Sequence, residues 1–163
     1  MQLFHYLVKL HIGTKLNNKN IMKKTLITLV LITFAFSLNA QTILGNWKTV
    51  DDETGETKSI VKIYEENGKI YGKVVKVLNK DRQNAVCDKC EGAKKDKLIL
   101  GMVIIEGLKK KNDEYKGGTI LDPQKGKEYD CKIWLDEDDS NKLNVRGYIS
   151  FLYRTQNWYR AEE

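Results

Sequence analysis

From residue 43 onward the chain alternates apolar and polar positions in short runs, and turn-forming residues separate the runs. Residues 43–50 place Ile43, Gly45, Trp47 and Thr49 on one face, and Thr54-Gly55 within 51–56 supplies a turn. Strands over 57–64 and 69–78 flank Asn67-Gly68, the dipeptide best suited to the two positive φ angles of a type I′ hairpin. Runs 98–108 and 114–121 flank the polar stretch 109–113, whose three lysines then sit at a solvated hairpin tip. Asp122-Pro123 through Gly126 turns into Lys127–Leu135, where Tyr129, Cys131, Ile133 and Leu135 alternate with Glu128, Asp130, Lys132 and Trp134. The acidic residues within 136–141 form another polar turn; they lack the glycine and glutamate spacing of a calcium loop. Lys142–Ile149 puts Leu143, Val145, Gly147 and Ile149 inward, and Lys142, Asn144, Arg146 and Tyr148 outward. Residues 155–161 close the chain.

No segment of this part carries a helical period. The pattern predicts an all-β fold, an antiparallel up-and-down meander of about eight strands. Eight is the strand number at which such a sheet closes around a filled or small-ligand interior. Closure also removes exposed edges. A closed or nearly closed barrel is therefore expected, with a two-sheet sandwich as the alternative.

Upstream, Lys23 and Lys24 precede the apolar run from Leu26 to Leu38, and small Ala40 stands before Gln41. That is the pattern of a secretory signal peptide over residues 22–40, with Met22 as the true start and 1–21 as an upstream extension. The apolar run falls short of the ~20 residues of a bilayer-spanning helix, so no transmembrane segment is expected. Cleavage after Ala40 leaves one exported domain, 41–163, in the periplasm or outside the cell.

Cleavage changes the charge. Five of the 28 basic residues and none of the 22 acidic ones lie in 1–40, so 23 face 22 in the mature chain, a net charge of +1. Nucleic-acid binding loses its electrostatic basis. His5 and His11 leave as well, and with them any Ser/His or Cys/His pair, histidine ligand or histidine pH switch. Serines such as Ser59 and Ser150 have no activating partner, and the carboxylates mostly occupy turns or outward positions. The residues argue against an enzyme and call for no cofactor and no metal.

The connection 79–97 is too long for a tight turn and holds Cys87-x-x-Cys90. In an oxidising compartment the expectation is a Cys87–Cys90 disulfide pinning it. A redox dithiol lacks its thioredoxin-like context. A zinc site would need Cys131 and a carboxylate to complete it. Cys131 falls on an apolar face and is expected to be a buried thiol, although its pairing with Cys87 or Cys90 is compatible with the sequence.

Gly45-Asn46-Trp47 near the start and Trp158-Tyr159-Arg160 near the end resemble the lipocalin arrangement, in which an early Gly-x-Trp packs at the barrel base under a late arginine. Gly45, Trp47, Trp158 and Arg160 are then a structural floor. The whole set, Gly45-x-Trp47, Cys87-x-x-Cys90, Gly101-Met102, Gly117-Gly118-x-Ile120-Leu121-Asp122-Pro123, Gly126-Lys127-x-Tyr129-x-Cys131, Val145-Arg146-Gly147-Tyr148 and Arg154-Thr155-Gln156-x-Trp158-x-Arg160, resembles the exported bacterial proteins of domain-of-unknown-function family 2147. Tyr153 stands where that pattern leads one to expect glycine. The resemblance implies an exported small β-domain from a Gram-negative bacterium and brings no established activity.

The barrel reading favours a binder of a small apolar or amphipathic molecule at the open end, entering beside the long loop. Tyr71, Tyr115, Arg146, Tyr148 and Gln156 are the candidate polar contacts, with strand register deciding which of them face inward. The alternative is a cell-envelope protein–protein interaction module using exposed aromatics such as Trp134.

Overall fold

Eight antiparallel strands follow one another in chain order, each bonded to its sequence neighbour, and the last returns to the first to close a barrel. The computed structural model describes residues 42–51 and 54–162. The expected leader 22–40, the extension 1–21 and the cleavage point before Gln41 lie outside the described residues. The strands are β1 (Gly45–Val50), β2 (Thr57–Glu66), β3 (Lys69–Val77), β4 (Val103–Lys111), β5 (Glu114–Asp122), β6 (Lys127–Leu135), β7 (Lys142–Ile149) and β8 (Leu152–Arg160). Among the described residues no helix is long and apolar enough to cross a membrane.

Where turn chemistry is explicit, local sequence dictates the elements. Asn67 and Gly68 take φ of 51° and 71°, as a tight hairpin of this hand requires. β6 and β7 occupy the expected residues. Three boundaries differ by three residues or more. β4 begins at Val103 and not at Leu98, because Leu98 forms an isolated bridge with Val86 inside the long loop. Lys109–Lys111 are exposed strand residues paired with Lys116, Tyr115 and Glu114, so the lysine patch is not a hairpin tip. β8 starts at Leu152, earlier than residue 155, because Ser150 adopts a left-handed φ of 56° and reverses the chain in two residues.

The inward series fills the barrel toward one end with Trp47, Val61, Ile63, Ile70, Ile105, Leu108, Ile133, Leu143, Val145 and Trp158, all essentially without solvent exposure. The short turns after β2, β4 and β6 lie at this filled end, together with the start of β1 and the end of β8. The opposite end carries the β1–β2 turn, the loop between β3 and β4, the β5–β6 turn and the β7–β8 turn. The single long connection and the apolar excess both lie there.

Candidate binding site at the barrel mouth

At the filled end, Trp47 and Arg160 pair across β1 and β8. The guanidinium carbon lies 4.1 Å from the Trp47 ring centroid, and its nitrogens donate to the carbonyls of Leu44 at 2.9 Å and Thr42 at 2.7 Å. Burial presses its pKa downward. Gly45 makes this approach possible, since a Cβ there would stand 3.0 Å from an Arg160 guanidinium nitrogen. Trp47 donates its indole N–H to the Ile43 carbonyl at 2.8 Å. This end is filled, with Trp47 fully buried beneath the guanidinium.

At the mouth, Cys87 and Cys90 are joined by a disulfide, and Cys131 is a buried free thiol. The disulfide turn is seated on the β5–β6 turn. Cys87 Sγ lies 3.2 Å from the Pro123 carbonyl oxygen, a sulfur–oxygen contact since the oxidised sulfur has no proton to give. Lys94 adds an electrostatic clamp, reaching Glu106 on β4 at 2.5 Å and Glu128 on β6 at 2.8 Å. Burial alone would lower the Lys94 pKa, but the hydrogen bonds to both carboxylates outweigh it and raise the value. The loop therefore covers the β4–β6 side of the mouth.

The β7–β8 side is bare. Ile149, Phe151, Leu152 and Tyr153 are 59%, 88%, 61% and 61% exposed, forming an apolar lip where a turn is ordinarily polar. A cleft of about 460 Å³ lies beside it on the outer wall of β5–β7, lined by the outward Thr119, Glu128, Asp130 and Tyr148 together with Lys127, Tyr129 and Ile149. That volume falls within the ~300–1,000 Å³ of small-molecule pockets. Below the lip, the inward positions of β8 are Arg154, Gln156 and Trp158, facing Gly147, Val145 and Leu143 of β7.

Residues 45–160 match the family described as uncharacterized protein conserved in bacteria (DUF2147). The chain belongs to this family. Among solved structures it is similar to protein HP1028 from the human pathogen Helicobacter pylori, described as belonging to the lipocalin family. The TM-score is 0.64 at 19% identity, covering 75% of this chain and 84% of the other. That likeness speaks to the fold, a lipocalin-like barrel. No curated protein matches the sequence.

The DUF2147 barrel does not gather the five candidate contacts into one place. Tyr71 is on the outer face, stacked on Tyr64 with ring centroids 5.7 Å apart. Tyr115 pairs with buried Ile133 and packs on the core near the sealed end. Arg146 is on the outer face, donating to Thr155 Oγ1 at 2.7 Å with its guanidinium carbon 4.2 Å from the Tyr153 ring centroid. Tyr148 is also on the outer face but lines the cleft. Gln156 pairs with buried Val145, so its side chain shares the interior face below the mouth. Trp134 is an outer-face indole covered by Lys132 at 4.7 Å and Arg146 at 5.1 Å. Sequence reasoning missed the lip, although Ile149-Ser150-Phe151-Leu152-Tyr153 signals it by crowding four large apolar residues around one turn.

Proposed function

We propose that this DUF2147 protein is exported and binds a small amphipathic molecule at the barrel mouth without transforming it. The observation that carries the reading is the asymmetry of the barrel's two ends. One is filled by Arg160 and Trp47, while the other carries an apolar lip beside a cleft of about 460 Å³ on the outer wall of β5–β7. An exposed apolar rim beside a concave, partly polar wall suits a ligand with both characters. The histidine-free composition of residues 41–163 supports binding over catalysis, and the cation cover over Trp134 speaks against that indole as a protein-docking anchor. Native mass spectrometry of protein recovered from its own host tests the reading. The expected result is a co-purifying small molecule released on unfolding; a ligand-free mass, with no uptake of Nile red by the same sample, overturns it.

A further inference from the structure

The apolar side chains of the β7–β8 turn are not there to build the barrel. Phe151 is 88% exposed, so its ring packs on almost nothing, and Ile149 and Leu152 are mostly exposed as well. The reversal itself is made at Ser150 by its left-handed φ of 56°, which needs no apolar neighbour. Polar residues would close the same hairpin without leaving apolar surface in water. The order of side chains running down the hairpin from its tip is the second observation. Ile149 pairs with Leu152 at the tip, and the next pair is Tyr148 with Tyr153, their ring centroids 6.1 Å apart. Below them come Gly147 with Arg154 and then Arg146 with Thr155. Arg146 keeps its guanidinium carbon 4.2 Å from the Tyr153 ring centroid, which ties the cation to the tyrosine level. At about 3.4 Å per residue, the hairpin passes from apolar through phenolic to cationic within roughly 10 Å.

We propose that this hairpin tip docks on a phospholipid bilayer. The water-facing edge of a bilayer has the same order: hydrocarbon, then a level where aromatic rings settle, then anionic phosphates. Ile149, Phe151 and Leu152 enter the acyl boundary, the phenols of Tyr148 and Tyr153 stay at the headgroups, and Arg146 and Arg154 meet the phosphates. The local charge is complementary to that surface. Glu128 is engaged by Lys94 at 2.8 Å, and Asp130, opposite Tyr148, is offset by Lys127 in the same cleft wall. The two arginines therefore leave the hairpin net positive. A protein partner or a second copy accounts for an apolar tip, but not for a cationic level set behind a tyrosine level. The proposal goes beyond the binding reading and does not depend on it. A docked tip holds the adjacent cleft at the membrane surface, where amphipathic molecules reside.

Flotation with vesicles of phosphatidylcholine alone, and of phosphatidylcholine mixed with phosphatidylglycerol, tests this. The proteins are the wild type, Phe151→Ser with Leu152→Ser, and Arg146→Gln with Arg154→Gln, each also examined by thermal unfolding and sedimentation velocity. The wild type is expected to bind both vesicles and to prefer the mixed ones. The serine variant is expected to keep its Tm, since both side chains it loses are exposed, and to partition at least about tenfold more weakly into either vesicle. The glutamine variant is expected to bind phosphatidylcholine nearly as the wild type does and to lose about fivefold or more on the mixed vesicles. Absence of wild-type binding to both vesicles overturns the proposal, as does undiminished partitioning of the serine variant or an unchanged preference in the glutamine variant. A wild-type dimer that the serine substitutions dissociate, without vesicle binding, overturns it in favour of a second copy on the tip. If either double variant does not fold, Phe151→Ser alone decides, and unreduced partitioning overturns the proposal.

Discussion

Gly126 and Lys89 touch backbone to backbone: a Cβ on Gly126 would stand 2.0 Å from the Lys89 carbonyl oxygen and 2.7 Å from the Cys90 nitrogen. Gly126 also has a φ of +67°, where a side chain is strained in any surroundings. The disulfide turn thus rests on a site that only glycine can provide. Gly126→Ala should cost at least ~1 kcal/mol and lift the loop from the β5–β6 turn. Faster hydrogen exchange of the 87–97 amides, with the other strands unchanged, is the expected result.

Removing the disulfide should act differently. It closes a ring of only four residues, for which the chain-entropy relation gives about 2 kcal/mol. The loop keeps the backbone bonds Cys87 N–H to Lys97 and Ile99 N–H to Ala85, and the Lys94 clamp. Cys87→Ser with Cys90→Ser should therefore fold to the same barrel by far-UV circular dichroism, with a lowered Tm and weakened retention of any bound amphiphile. Outright failure to fold would make the pair a determinant of the fold.

The sealed end should be the most sensitive part of the barrel. Trp47→Ala empties a fully buried aromatic site and should cost ~3–5 kcal/mol in urea unfolding. Arg160→Ala leaves two carbonyls without their donor and uncovers the indole, for an expected loss of ~1–3 kcal/mol. The two losses should not add, because the residues share one contact.

Cys131 makes stability depend on alkaline pH. Burial pushes its thiol up to about 12 from an ordinary 9.0. Since the folded value is raised, its contribution is present in full below the unfolded value and is lost as pH climbs from 9.0 toward about 12. Relative to Cys131→Ala, the wild type should lose about 1.4 kcal/mol by about pH 10, read from paired urea titrations. The same burial predicts a thiol that alkylating reagents reach only after unfolding.

The alternation of β6 and β7 and the Asn67-Gly68 turn were legible because each is local: period-two burial and positive φ are properties of neighbouring residues. The start of β4 was not, since Leu98 reads as strand but pairs with Val86 across the loop. The Cys87–Cys90 bond followed from spacing and an expected oxidising compartment, yet its seat on Gly126 joins residues far apart in sequence. The candidate site was least legible. Tyr71, Arg146 and Tyr148 are chemically suited to binding but face outward by register.

Seven of the eight strand pairings join neighbours along the chain, and the eighth joins its two ends. Arg160 donates to the Leu44 carbonyl 116 positions earlier, a distance whose loop entropy must be overcome before the contact gives anything back. Hairpins can zip from their turns without waiting for this event. The topology predicts local ribbons first and circumference last. The indole of Trp47, which meets Arg160 only when the ring is complete, is a built-in optical marker of the final step of folding.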